Sequence, residues 1–194
     1  MRKAVFLDRD GVINEMVPSP EGPDSPRSVD EFRLVPGAGY AIRSLNDLGL
    51  PVVVVSNQPG IAKGKLCADD LDAMTELMRH QLRETFAVID GLYYCLHHPD
   101  AINAEYRVVC DCRKPKSGLL KRAGEELDLE LAGSYMVGDQ PRDLRAGKTV
   151  GCITVFVASE LANERPTEAD YTCADIVAAA RLIAQLERSS TVIP

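Results

Sequence analysis

The feature that limits the fold most is a short apolar run near the amino terminus that stops at two closely spaced acids. Residues 4–7 are Ala-Val-Phe-Leu, and Asp8 and Asp10 follow directly. A run with no polar residue on either face is typical of a strand buried within a parallel sheet. Because ionised carboxylates are costly to bury, Asp8 and Asp10 are expected at the carboxyl end of that strand, where open α/β sheets bind ligands.

Two later runs end in the same way. Residues 52–55 are four valines followed by Ser56, and residues 134–137 lead through Gly138 to Asp139. A divalent cation relieves repulsion between neighbouring carboxylates, and a serine hydroxyl can bind a phosphate oxygen. Taken singly, each motif also fits a solvated turn or a helix cap. Together they favour phosphoryl chemistry at one edge of the sheet.

Strand and helix patterns alternate along the chain, which predicts a doubly wound parallel sheet of the Rossmann-like α/β class. Further strands are expected at 91–95 and 152–157, with a short edge strand near 169–172. Apolar spacing predicts helices over about 38–48, 68–86, 117–127, 141–147 and 176–186, with Ser117 capping the third. No repeat or linker divides the sequence, so residues 1–194 are expected to form one domain.

Residues 14–33, called the proline-rich segment below, interrupt this alternation. Four prolines, at positions 18, 20, 23 and 26, stand among scattered acidic residues. A long irregular segment within a compact domain is usually a functional lid or is disordered. Because this one follows Asp8 and Asp10 directly, we expect an irregular lid over the mouth of the site.

Two pairs of metal-ligating residues flank a loop at 95–112. Cys95 with His97, and Cys110 with Cys112, are each two residues apart, so the members of a pair face the same way in extended chain. Three thiolates and one imidazole form a normal structural Zn²⁺ set with no open coordination position. The alternative is that these side chains merely line the core. His98 is expected to point away from the set.

Overall charge bears on the choice of partner. The chain has 22 basic and 29 acidic residues, a formal charge of −7, and no basic patch in its sequence. This balance disfavours nucleic acid and anionic membrane as partners. No apolar run approaches a membrane span, and the amino terminus does not resemble a signal peptide. We therefore expect a cytoplasmic protein that acts as a monomer on a small molecule.

The motifs together resemble those of the haloacid-dehalogenase superfamily of phosphotransferases. The resemblance rests on Asp8-Arg9-Asp10-Gly11, on Ser56-Asn57, on Lys114, and on Gly138-Asp139 through Asp143. The cysteine loop and the run Cys-Asp-Cys-Arg-Lys-Pro at 110–115 narrow it further. Over nearly its whole length the chain is similar to the heptose-bisphosphate phosphatase family, which has histidinol-phosphate phosphatases as relatives. Members of this type have no separate cap domain.

The resemblance implies a role for each matching residue. Asp8 would be the nucleophile and Asp10 the general acid and base, with Ser56, the Asn57 backbone and Lys114 holding the phosphoryl oxygens. Mg²⁺ would be bound by Asp8, by the Asp10 carbonyl and by Asp139. Arg113 would read the rest of a small phosphorylated sugar, and Asp143 would orient Lys114. The remaining residues expected to contact substrate are Gln58 and Gln140.

Three departures from the family pattern bear on the substrate. Gln140 replaces a lysine, Leu96 replaces a common proline, and the stretch 18–27 is longer than the family's loop. The C7 phosphate of a heptose 1,7-bisphosphate is the expected target. Histidinol phosphate or another small phosphomonoester is the alternative within enzymology, and a non-catalytic zinc-stabilised binding module is the alternative of another class.

Overall fold

A computed structural model describes residues 1–158 and 166–191 of the chain. These residues contain six strands and five helices, which alternate as far as the fifth strand, and a short 3₁₀ turn at Ala104–Tyr106. The strands are β1 Arg2–Leu7, β2 Val52–Asn57, β3 Gly91–Cys95, β4 Leu129–Gly138, β5 Ile153–Val157 and β6 Tyr171–Cys173. The helices are α1 Ala38–Asp47, α2 Ala68–Arg83, α3 Gly118–Glu126, α4 Pro141–Thr149 and α5 Ile176–Thr191.

All six strands form one parallel sheet in the order β3-β2-β1-β4-β5-β6. The order reverses between β1 and β4, which are neighbours in the sheet although far apart in sequence. Such a switch point leaves a crevice at the carboxyl ends of the strands. The predicted doubly wound α/β class is therefore confirmed, and no separate cap domain occurs in the two described stretches of the chain.

The core lies on both faces of the sheet because successive residues of a strand point to opposite sides. On one face, Val5 and Leu7 of β1 pack with apolar residues of α1, α2 and α5. On the other, Ala4 and Phe6 pack with residues of α3 and α4. All four are fully buried, as expected for a strand with no polar residue between its ends. This packing fixes β1, and with it the position of Asp8.

Several element boundaries differ from those predicted. β4 begins five residues earlier, at Leu129, because its first residues pair with Arg2 and Lys3 before an irregularity in the ladder. Because several of these first residues are exposed or partly exposed, the run of apolar residues did not predict this part of the strand. Ser117 occupies the N-cap position of α3, as predicted, but its side chain makes no cap hydrogen bond. The Gly118 N–H donates instead to the Asp111 carbonyl, at 2.9 Å.

The proline-rich segment contains neither helix nor strand, but it is tied to its surroundings. Val17 and Asp24 exchange two backbone hydrogen bonds of 2.8 and 2.9 Å, which closes a small loop. The Lys65 ammonium forms an ion pair of 2.5 Å with the Asp24 carboxylate. None of the helices in the described residues is both long and apolar enough to span a membrane.

Candidate active site

The ends of β1 and β4 bring Asp8 and Asp139 together. The strands pair in register, Leu7 opposite Val137, and the Asp8 N–H donates to the Val137 carbonyl at 3.0 Å. One oxygen each from Asp8, Asp139 and Asp143 lie within 4.8 Å of one another, an arrangement that could hold a metal ion. The predicted convergence of strand-end carboxylates is thus present in the structure.

Lys114 lies between two of these carboxylates. Its ammonium is 2.9 Å from Asp8 Oδ1 and 2.8 Å from Asp143 Oδ1, and it donates to the Val55 carbonyl at 2.8 Å. Burial alone would lower the pKa of Lys114, but Asp143 and Asp8 more than offset it and raise the pKa above its usual value. Lys114 therefore stays charged and forms a buried ion pair with Asp143.

The acidic cluster has more negative charge than its protein neighbours offset. Burial, reinforced by Asp8 and Asp143, raises the pKa of Asp139 to about 7. Oδ1 of Asp139 is buried without a hydrogen-bond partner, while Oδ2 accepts from Gln140 Nε2 at 3.0 Å. A buried carboxylate oxygen without a donor, beside two more carboxylates, suits a hard divalent cation such as Mg²⁺. The residues present therefore fit the implied metal.

Asp10 lies apart from this cluster in a cage of hydrogen-bond donors. Oδ1 accepts from Arg9 Nε at 2.9 Å and from Asn14 Nδ2 at 3.0 Å, while Oδ2 accepts from Gln58 Nε2 at 2.7 Å and from Ser25 Oγ at 2.8 Å. Burial alone would raise the pKa of Asp10, but the Arg9 guanidinium and these hydrogen bonds lower it. These contacts therefore favour the carboxylate form of Asp10 over its protonated form in the free protein.

Arg9, Asn14 and Ser25 were not among the residues predicted for the site. The Arg9 guanidinium is fully buried, contacts Gln58 Oε1 at 2.9 Å and lies 5.5 Å from the centre of the Tyr94 ring. The sequence did offer a signal for Arg9, because this arginine stands between two acids directly after a buried strand. Ser25 gave none, because fifteen residues separate it from the carboxylate it contacts.

The end of β2 contributes Ser56, Asn57 and Gln58 to the same edge. Ser56 is buried, and its hydroxyl accepts from Gln58 Nε2 at 3.2 Å. The Asn57 side chain both donates to and accepts from the Lys114 backbone, at 3.0 Å in each case. Gln58, expected to contact substrate, is 3% exposed and directs its amide to Asp10, Ser56 and Arg9.

The four residues of the predicted zinc set converge. Cys95 Sγ lies 3.6 Å from Cys110 Sγ and 3.2 Å from Cys112 Sγ, and His97 Nδ1 lies 3.3 Å from Cys112 Sγ. Burial and the two neighbouring thiols raise the pKa of Cys112 far above its usual range. Four thiolate and imidazole groups this close need a cation to lose their protons together, and a tetrahedral Zn²⁺ site has this donor set. His98 lies outside the group, as expected.

The same loop places Arg113 next to the buried lysine. Arg113 Nη1 donates to the His97 carbonyl at 3.2 Å, which links the guanidinium to a residue of the predicted zinc set. Burial lowers the pKa of Arg113, and Arg142 on α4 adds to the effect. Arg113 is partly exposed, so it can meet a group that projects out of the crevice.

Comparison with known proteins places these features in a family. The HAD-hydrolase-like family model matches residues 111–182. The chain is 42% identical over 154 residues to the D-glycero-beta-D-manno-heptose-1,7-bisphosphate 7-phosphatase of Haemophilus ducreyi, covering 79% of this chain and 81% of the relative. It is 38% identical over 191 residues to the Haemophilus influenzae protein of the same name, covering 97% and 100% of the two chains.

A solved structure agrees with these relatives. The D,D-heptose 1,7-bisphosphate phosphatase from B. bronchiseptica, complexed with magnesium and phosphate, superposes with a TM-score of 0.80 at 33% identity. The match covers 95% of this chain and 99% of that one. From the sequence identity and this coverage, the chain belongs to the D-glycero-beta-D-manno-heptose-1,7-bisphosphate 7-phosphatase family of HAD-like hydrolases.

Proposed function

We propose that the protein is a phosphomonoesterase that removes the C7 phosphate from D-glycero-β-D-manno-heptose 1,7-bisphosphate through an aspartyl-phosphate on Asp8. The substrate follows from the names of relatives at 38–42% identity. The observation that carries the chemistry is the meeting of Asp8, Lys114 and Asp139 at the switch point of the sheet. A binding module without catalysis would have no use for a buried lysine held against a strand-end aspartate.

In the first step, Asp8 attacks phosphorus. Its Oδ1 already accepts from the Arg9 N–H at 2.8 Å and contacts Lys114, which leaves Oδ2 to form the new P–O bond. The bond from phosphorus to the C7 oxygen breaks and its electron pair stays on that oxygen, while Asp10, which enters this step protonated, supplies the proton. Lys114, the Ser56 hydroxyl and the Asn57 N–H bind the phosphoryl oxygens as charge develops on them.

In the second step, water attacks the aspartyl-phosphate. Asp10 takes the proton from the water, the P–O bond to Asp8 breaks with its electron pair returning to the carboxylate, and inorganic phosphate leaves. Asp10 thus recovers the proton that it gave to the sugar. Splitting one slow hydrolysis into two steps is the advantage of a covalent intermediate.

Mg²⁺ would be held by Asp8, the Asp10 carbonyl and Asp139, and it would offset the repulsion between an anionic nucleophile and an anionic substrate. Zn²⁺ would be held by Cys95, His97, Cys110 and Cys112 and would have a structural role only. Arg113 and Gln140 are proposed to contact the rest of the sugar.

Phosphate release tests this proposal. Purified enzyme with Mg²⁺ would be assayed on both anomers of heptose 1,7-bisphosphate, on fructose 1,6-bisphosphate and on histidinol phosphate. We expect the highest kcat/KM on the β-heptose bisphosphate, with a product that keeps its C1 phosphate. A higher kcat/KM on histidinol phosphate would overturn the proposed substrate. Absence of hydrolysis of all four compounds would overturn the proposed phosphatase activity.

A further inference from the structure

The four groups around the Asp10 carboxylate differ in what they can do when that carboxylate gains a proton. Arg9 has no hydrogen-bond acceptor. Asn14 presents its Nδ2, which also donates to the Glu15 carbonyl at 2.9 Å. Gln58 presents its Nε2, because its Oε1 accepts from Arg9 at 2.9 Å. All three therefore act as fixed donors toward Asp10.

Ser25 is the exception. Its hydroxyl donates to Asp10 Oδ2 at 2.8 Å, and a hydroxyl can also accept a hydrogen bond after rotation of its O–H. Oδ1 faces the donors of Arg9 and Asn14, so a proton there would meet an N–H on either side. A proton on Oδ2 can instead be accommodated once the Ser25 hydroxyl turns.

Ser25 is held where it can do this. Its own N–H donates to Asp24 Oδ1 at 3.0 Å, and Asp24 Oδ2 pairs with Lys65. The backbone bonds between Val17 and Asp24 close the loop that precedes it. The serine also borders a small cavity lined by Gln58, Arg27, Lys63 and other residues.

The geometry points to Ser25 as a positioning residue for the proposed general acid: its hydroxyl orients the Asp10 carboxylate and allows Oδ2 to carry the proton that the leaving group needs. This rests on the proposed function, since it needs Asp10 as general acid. The proline-rich segment thereby contributes to catalysis through one hydroxyl. Gln58 belongs to the same arrangement: it orients Asp10 rather than touching the sugar.

The test compares two leaving groups. A sugar alkoxide needs a proton from Asp10, whereas p-nitrophenolate leaves without one, so a defect in proton delivery affects only the first. The constant kcat/KM is used because it covers the steps up to departure of the leaving group and excludes the later attack by water. The substrates are the heptose 1,7-bisphosphate and p-nitrophenyl phosphate.

We expect Ser25→Ala to lower kcat/KM for the sugar phosphate by roughly 10-fold or more, within the range that general acid catalysis contributes, while p-nitrophenyl phosphate changes by less than about 2-fold. Ser25→Thr keeps a hydroxyl and should restore most of the loss. The matched control is Ser19→Ala in the same segment, because the Ser19 hydroxyl bonds within the loop: it donates to the Gly22 carbonyl and accepts from the Glu21 N–H. It should leave both substrates unaffected.

Equal losses on both substrates, failure of Ser25→Thr to restore activity, or an unchanged rate in Ser25→Ala would each overturn the role of Ser25. Asp10→Asn separates this from the proposed function. If Asp10→Asn loses activity on the sugar phosphate selectively but Ser25→Ala does not, only the Ser25 inference fails. If Asp10→Asn shows no selectivity, the acid role of Asp10 fails and the proposed function with it.

Discussion

At the scale of single residues, the site depends on charges buried close together. Lys114, 2% exposed, contacts the carboxylates of Asp8 and Asp143, so each charge offsets the desolvation of the others. Removing one partner of a buried ion pair normally costs several kcal/mol because the other is left uncompensated. When Asp8 is changed, Asp143 still pairs with Lys114. The proposed nucleophile can therefore be tested in a protein that still folds.

Asp8→Asn should abolish turnover while the protein still folds. An amide oxygen does not form the acyl-phosphate that the mechanism requires, and Lys114 keeps its contacts with Asp143 and the Val55 carbonyl. Phosphate release under saturating substrate measures the first effect, and circular dichroism with thermal unfolding measures the second. The surface variant Asp47→Asn, which alters only an exposed pair with Arg43, is the control. Near wild-type activity in Asp8→Asn would contradict the assignment.

Gly11 allows the chain to pass close to the proposed cation site. Its φ is +82°, and a Cβ built there would lie 2.5 Å from Asp139 Oδ2. Gly11→Ala should therefore displace the Asp139 carboxylate and weaken Mg²⁺ binding by roughly 10-fold, the effect of losing about 1.4 kcal/mol. Calorimetric titration with Mg²⁺ measures this.

The control for Gly11 is Gly22→Ala. Gly22 also has a positive φ, of +105°, but a Cβ there meets no atom within 4 Å. It therefore reproduces the backbone strain without the clash at Asp139. If both variants bound Mg²⁺ equally weakly compared with the wild type, backbone strain and not contact with Asp139 would be the cause.

At the scale of elements, the cysteine loop connects the predicted zinc site to Lys114, which is proposed to bind the phosphoryl group. Cys110 and Cys112 lie immediately before Arg113 and Lys114, and Asn57 at the end of β2 bonds to the Lys114 backbone. A change in the zinc set should therefore disturb both Arg113, which is proposed to contact the sugar, and the Lys114 ammonium.

Cys110→Ser should lose bound zinc and unfold at a lower temperature. Structural zinc binding contributes roughly 10–16 kcal/mol of folding free energy in small zinc peptides, so even a fraction of this would be measurable in a protein of this size. Metal analysis and thermal unfolding are the measurements. Cys67→Ser is the control, because Cys67 is exposed and lies outside the cluster. Full zinc content in Cys110→Ser would count against the site.

The elements show which parts of the structure could be predicted. β1 and β2 were predictable because four consecutive apolar residues admit few environments other than a buried strand. The start of β4 was not, since burial there is incomplete and pairing with β1 alone extends the strand. Asp8 and Asp139 could be placed together because parallel strand ends share an edge. Ser25 could not, because no local pattern encodes a contact made across an irregular segment.

At the scale of the whole molecule, the acidic cluster should make stability depend on pH and on metal. In the folded protein without metal, the pKa of Asp139 is about 7. The ordinary value for an aspartate, which applies to the unfolded chain, is 3.8. Between these values the folded state binds the proton more tightly than the unfolded state, so folding is favoured at low pH and loses this contribution as pH rises. The metal-free protein should therefore unfold several degrees lower at pH 8 than at pH 5 on account of this group.

Mg²⁺ should reverse that trend, because it binds the ionised carboxylates of the folded state. Thermal unfolding with EDTA and with excess Mg²⁺, at pH 5 and pH 8, measures this, and the gain from Mg²⁺ should be larger at pH 8. In Asp139→Asn the difference between the two pH values should shrink. An equal gain from Mg²⁺ at both pH values would contradict the account.

The pairing of β1 with β4 has one further consequence. Asp8 and Asp139 each follow a strand directly, and the amide ladder between Leu7 and Val137 holds those strands about 4.8 Å apart. The spacing of the Asp8 and Asp139 backbones is therefore set by main-chain pairing and not by the side chains proposed to contact the sugar. Relatives could lengthen the irregular segment or replace residues such as Gln140 to accept a different sugar, and the proposed Mg²⁺ would still be held at the same point.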